Sequence, residues 1–275
     1  MPEIIGNLRK LKSKVDASLH YYLCVGDAEI SLREQLGQVL ILTHSGGIYC
    51  IQCGRKTRQS FQQGFCYPCL QRWLECDLCI IHPEKCHVMR GTCPMDDWAH
   101  AQCHASHIVY LANSSGVKVG ITRETQVPTR WIDQGAKQAI PIFKVANRYQ
   151  AGMIEVVLKA FVSDRTHWRN LLLREANDIN LMEVRDALLH TAQLQLNKVI
   201  STFLPTDIMA IQERAMMVLN YPVLHYPTVI HTLSFDKTPT IRGKLLGIKG
   251  QYLIFDTGVM NIRKFGGYEV TCQLT

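Results

Sequence analysis

Cys50-x2-Cys53 and Cys66-x2-Cys69, with twelve residues between them, are the part of the chain where residue type and spacing point most directly to chemistry. Two such knuckles place four thiolates around one tetrahedral ion, and Gly54 permits the tight turn after the first. A closed four-sulfur site leaves no open coordination position, so the expectation is a structural Zn2+ that supports folding. Arg55, Lys56 and Arg58 in the intervening loop suit either phosphate contact or simple solubility. A second cluster is less regular and runs through Cys76, Cys79, His82, Cys86, His87, Cys93, His100, Cys103 and His104. It offers more ligands than one ion needs. Cys76, Cys79, Cys86 and Cys93 are the first choice for a second Zn2+, with His87 or Cys103 as substitutes. An iron–sulfur cluster is the alternative, because four cysteines ligate either group. Buried thiols without metal are the blandest reading.

The second set of candidates lies in His107–Gly135. Tyr110 sits in a short apolar run, Lys118 in a second one, and Asn113-Ser114-Ser115-Gly116 supplies the turn between them. This is a hairpin pattern, and pairing brings the two groups together if they face the same side. Pro128 and Thr129 then start a helix that carries Arg130. A phenol, an ammonium and a guanidinium suit a substrate bearing negative charge, of which phosphate is the commonest. Glu155 lies on a later helix whose apolar face is Ile154, Val157, Leu158 and Phe161, spaced i, i+3, i+4 and i+7. It stands beside that stripe and is free to reach a cleft. The blander reading of Tyr110 is a core tyrosine, and that of Arg130 with Glu155 is a structural ion pair.

IVY at 108–110, KVG at 118–120, Arg130 and Glu155 resemble the two half-motifs, the arginine and the glutamate of the GIY-YIG nuclease superfamily. The wider chain, with cysteine clusters before this core and a β-rich tail after it, resembles an uncharacterised bacterial family that is a domain of unknown function. The superfamily resemblance implies a catalytic set of Tyr110, Lys118, Arg130 and Glu155. Glu155 would hold one Mg2+ or Mn2+ at the scissile phosphate, and Tyr110 would assist deprotonation of the attacking water. Lys118 would favour the phenolate, and Arg130 would stabilise charge in the transition state. The pattern departs at Lys118, which stands where the second half-motif has tyrosine.

These sites need an α+β fold. It is read as a GIY-YIG-like small α/β core with a zinc ribbon region and a small β-barrel-like part formed by N- and/or C-terminal strands. The boundaries are a β-rich segment at 1–49, the cysteine region at 50–106, the core at 107–175, a helical segment at 176–228 and a β-meander at 229–275, which 1–49 could complete. Within the helical segment the spacing predicts one helix over 181–203 and another after Pro205, through Ile208 and Val218.

Composition is that of a soluble globular protein, with 47% hydrophobic and 19% charged residues. A formal net charge of +7 favours an acidic partner. Nucleic acid is expected, RNA slightly ahead of DNA, with Arg123, Arg130, Lys144 and Arg148 as contacts. No secretory leader or membrane-span pattern is visible, so a cytoplasmic protein with reduced thiols is expected. Nine of its 11 cysteines lie in 50–103, which favours metal over disulfides. The function expected is a zinc-containing nucleic-acid-binding protein with a GIY-YIG-like core, in which divalent-metal-dependent phosphodiester cleavage is an open question. The alternatives are an inactive RNA- or ribosome-binding module and a metal-dependent sensor or assembly factor.

Overall fold

The structure is a computed structural model that describes residues 3–74, 79, 81–93, 101–162, 167–213 and 216–274. It is a mixed α/β protein in two compact units. The first comprises Met1–Arg72, Arg169–Glu175 and Asn220–Thr275, and the second Trp73–Trp168 and Ala176–Leu219.

The strands of the first unit are β1 (Glu3–Asn7), β2 (Lys12–Val15), β3 (Leu19–Val25), β4 (Ala28–Ser31), β5 (Val39–Ile48), β11 (Thr240–Lys249), β12 (Tyr252–Phe255), β13 (Gly258–Asn261) and β14 (Tyr268–Leu274). Period-two patterning forms them. In β11, Ile241, Gly243 and Leu245 turn inward while Thr240, Arg242 and Lys244 face water. The main sheet runs β1-β14-β5-β11-β12-β13, and β2-β3-β4 form a separate meander. The first and last segments of the chain therefore share a sheet, because β14 pairs with both β1 and β5. The expected barrel does not close. β1 and β13 end opposite edges of an open sheet, and β11 spends its first half on β5 and its second half, after an irregularity at Leu245/Gly247, on β12. Behind the sheet lies a fully buried Lys249, whose Nζ donates to Arg174 O (3.3 Å) and Tyr226 Oη (3.4 Å) and lies over the Tyr221 and Tyr226 rings.

In the second unit β6 (His107–Asn113), β7 (Val117–Arg123) and β8 (Gln138–Val145) form an antiparallel sheet with β6 central. Helix α2 (Thr129–Asp133) links β7 to β8, and α3 (Arg148–Lys159) follows, capped by Asn147 Oδ1 accepting from Gln150 N. Val109, Leu111, Ile140, Ile142, Ile154, Leu158 and Leu188 form the core. Phe161, expected on the buried stripe, falls beyond the end of α3 and is exposed.

The apolar recurrence in 181–203 forms two helices, α5 (Leu181–Thr191) and α6 (Gln193–Ile200). Residues 168–173 form the short α4, and Tyr67–Leu74 form α1. The helix expected after Pro205 is replaced by β9 (Ile208–Ala210) and β10 (Met217–Val218), which both pair with β8. That edge offers backbone donors and acceptors that a helix would have left unmatched. Among the described residues, no helix is long and apolar enough to cross a membrane.

Candidate metal centre and hairpin pocket

The first knuckle follows β5 and the second leads into α1. Gly54 has φ +70°, a left-handed turn that suits glycine, and its N–H donates to Cys50 O at 2.9 Å. The sulfurs of Cys50, Cys53, Cys66 and Cys69 all lie within 4.8 Å of one another. Cys53 Sγ and Cys66 Sγ are 3.8 Å apart, which matches the roughly 3.8 Å edge of a tetrahedron with Zn–S bonds of about 2.3 Å. Burial acts to raise the Cys50 thiol, but backbone N–H groups of Cys53, Cys66 and Gln52 outweigh it and bring the value to about 6. Cys69 is pushed up to about 12, first by burial and then by the three neighbouring sulfurs. Four thiolates cannot share this space without a cation, and a divalent ion relieves the conflict. The residues fit a metal.

In the second unit Cys79, Cys86 and Cys103 are buried together, with Cys93 and Tyr149 packed on them. Cys86 and Cys103 share a thiol hydrogen bond. Of the set predicted from spacing, Cys76 lies outside the described residues, while Cys103 joins the other three. This gathering is looser: among the described residues, the mutual 4.8 Å limit is met by the first set alone. His82 donates to Glu84 and His87 shares a hydrogen bond with Thr92 Oγ1, so both imidazoles have local partners. The cysteine region is pressed against α3. Arg148 N donates to Cys103 O (2.8 Å) and Arg148 Nη2 to Cys79 O (3.3 Å). At Gly152 an added Cβ would lie 2.4 Å from Glu84 N, so only glycine allows this approach.

The hairpin registers Tyr110 opposite Gly120 and Ala112 opposite Lys118. Residues two apart on a strand share a face, so Tyr110, Lys118 and Gly120 do too. Both side chains are buried, Tyr110 at 1% exposure and Lys118 at 6%. The Tyr110 ring lies across Gly120, where an added Cβ would meet the phenol oxygen at 2.8 Å. Gln134 Nε2 donates to Tyr110 Oη at 3.0 Å, and Trp131 packs beside the ring at 5.7 Å between centroids. Trp131 is itself buried and belongs to the core here.

Electrostatics ties Arg130 and Glu155 to the same phenol. Burial pushes Tyr110 above its usual range and the Glu155 charge adds to the rise, while Arg130, which also hydrogen-bonds the phenol, and Gln134 oppose it. The net direction is upward, so at neutral pH Tyr110 is a protonated donor. Glu155 is 7% exposed, with Lys159 Nζ 3.3 Å from Oε2. Of the expected nucleic-acid contacts, Arg130 is exposed and Arg123 half-buried. Lys144 is bound to Glu124 at 2.7 Å, and Arg148 serves the cysteine region as described.

Sequence reasoning passed over two residues of the pocket, Gln134 and Gly120. A half-motif ending in glycine opposite a tyrosine was the available signal for Gly120, but for Gln134 there was none before the helix was placed. A model of the family described as "Protein of unknown function (DUF2797)" matches residues 37–270. Neither a curated protein nor a solved structure matches the chain.

Proposed function

The chain belongs to the DUF2797 family, and from that premise we propose that it is a zinc-stabilised nucleic-acid-binding protein whose hairpin pocket acts on a phosphodiester. The observation that carries this reading is that Lys118 shares a hairpin face with Tyr110 while the charges of Arg130 and Glu155 act on the same phenol. A β6–β7–α2–β8–α3 order with β6 central supports a GIY-YIG-like core. The net charge of +7 supports an acidic partner, RNA ahead of DNA.

In this reading Arg130 binds a phosphate oxygen through paired N–H donors. Tyr110, held protonated and aimed by Gln134, donates to the same group. Lys118 presents its amine on the same hairpin face as Tyr110. Glu155 offers a hard carboxylate ligand for Mg2+ or Mn2+, which when bound would supply Lewis-acid stabilisation of the departing oxygen. The Cys50, Cys53, Cys66 and Cys69 set holds structural Zn2+, and Cys79, Cys86, Cys93 and Cys103 hold a second.

Labelled RNA and DNA incubated with Mn2+, wild type beside Glu155→Ala, test the activity. Cleavage by wild type that falls at least a hundredfold in the variant supports it. A second reading, binding without cleavage, is favoured by the near-complete burial of Tyr110 and Lys118. Salt-sensitive binding with no cleavage of any substrate class would select it.

A further inference from the structure

The first unit contains an open cleft of about 770 Å3, assembled from the loop between the first two knuckles, the end of β5 and the approach to β14. Its volume is that of a small-ligand site. One wall is aromatic: the half-buried His44 ring is its open member and lies 4.8 Å from the buried Tyr268 ring, which the buried Phe235 backs at 6.2 Å and 22°. His44 Nδ1 donates to Glu269 O at 2.9 Å, since a carbonyl can only accept.

The facing wall is a turn that the fold holds in an unfavourable shape. Gln62 and Gln63 have φ of 43° and 71°, two successive side-chain-bearing residues in the left-handed region. Ser60 Oγ donates to Gly266 O at 3.0 Å, and an added Cβ at Gly266 would stand 2.3 Å from Gln63 O. Backbone packed on backbone clamps the turn in place. The side chains of Gln62 and Gln63 line the cleft together with the exposed Arg58. At the rim, Asp236 accepts from Lys264 (3.0 Å), Tyr268 Oη (3.0 Å) and Ser234 Oγ (3.1 Å), leaving its carboxylate balanced and the half-exposed Lys264 ammonium at the edge.

Each wall selects for part of one ligand. Rings take a flat heterocycle by stacking. Glutamine amides present a donor beside an acceptor, the pattern that pairs with a base edge. Arg58 and Lys264 take a phosphate. A bare anion would use neither rings nor amides, and an apolar ligand would make no use of Arg58 or the amides. We propose that this cleft binds one nucleotide of a single-stranded nucleic acid, its base between the His44–Tyr268 wall and the glutamine turn, its phosphate on Arg58 and Lys264. This assignment rests on the nucleic-acid reading above and adds a second contact point, distinct from the hairpin pocket.

Fluorescence anisotropy with labelled single-stranded RNA and DNA octamers tests it, on the full zinc-loaded chain, with Arg58→Glu/Lys264→Glu beside wild type. Unchanged zinc content and unfolding midpoint establish that the variant is folded. The variant should bind at least tenfold more weakly. Loss of two phosphate contacts should also flatten the slope of log K against log salt by about 1.4. A uridine analogue that crosslinks on irradiation should join a peptide containing His44, Phe235 or Tyr268.

Direct binding of a labelled mononucleotide, with no octamer binding, would overturn the single-stranded ligand in favour of free nucleotides and sink the nucleic-acid reading. Undiminished octamer binding by the variant would overturn the cleft and leave that reading standing. Competition by inorganic phosphate as strong as by the mononucleotide would overturn the base pocket. Binding of neither octamer nor mononucleotide would overturn both proposals. A single-residue check comes from Gln62→Gly, which relaxes the backbone while removing one amide; tighter folding with weaker octamer binding is expected.

Discussion

Gly120→Ala is the sharpest test of how the hairpin pocket is built. In most strand positions this exchange stabilises by about 0.5–1 kcal/mol, because alanine loses less freedom on folding. Here the added Cβ would stand 2.8 Å from Tyr110 Oη and 2.9 Å from Cζ. The ring cannot swing away without breaking its bond from Gln134 and pushing into Trp131. Overpacking of a closed site costs about 1–3 kcal/mol, so a net loss of about 0–2.5 kcal/mol is expected in place of the usual gain. Urea unfolding of four proteins, wild type, Gly120→Ala, Tyr110→Phe and the double variant, reads the coupling. Tyr110→Phe alone should cost about 1 kcal/mol for the lost hydrogen bond. In that background the alanine penalty should shrink, since the closest atom, the phenol oxygen, is gone. If Gly120→Ala proves more stable than wild type by the usual gain of about 0.5–1 kcal/mol, or if the two changes add without coupling, the phenol does not lie across Gly120 and the site geometry is wrong.

Three further outcomes follow from other parts of the molecule. Burial lowers the fully enclosed His107 from about 6.5 to about 4, helped by the charges of Arg148 and Arg123. Above pH 6.5 the imidazole is neutral in both states; below it the unfolded chain takes the proton first, so stability falls as pH drops from 6.5 towards 4. At about 1.4 kcal/mol per pH unit the loss is capped near 3 kcal/mol, and His107→Gln should remove that part of the pH profile. Cys53→Ser should lower bound zinc by one ion per chain in elemental analysis and Cys86→Ser by a second, from a colourless protein; brown colour with iron would replace the second zinc by a cluster. Lys249→Ala, which removes a buried stem and its contacts with two tyrosine rings, should cost about 2–4 kcal/mol in urea unfolding, and Lys249→Met markedly less. An alanine variant as stable as wild type would mean the ammonium is not held there.

What the sequence disclosed was what depends on near neighbours. Cys50 to Cys69 could be read because two knuckles fix their own geometry, and the Tyr110–Lys118 hairpin because a turn and two apolar runs set its register. Cys103 could only be a substitute on spacing, since its place beside Cys86 is decided by the docking of Arg148 and Gly152. Ile208–Ala210 and Met217–Val218 lie where the spacing is helical, yet they form strands because pairing with the edge of β8 overrides local preference. Of the cleft in the first unit the sequence signalled only Arg58, in the basic loop between the knuckles. Its walls come from residues 44–48, 58–63, 235–236 and 264–268, which only the long-range pairing of β5 with β14 brings together.

The position of β14 between β1 and β5 has a consequence for biosynthesis. During translation both partners emerge early and must wait, edges open, until Tyr268–Leu274 leave the ribosome to fill the gap. The second unit has no such dependence on the last strand and can mature first. Ribosome-stalled chains ending before Tyr268 should accordingly be cut by protease in 1–72 while 107–160 resists, and a chaperone that shields bare strand edges would find its client there.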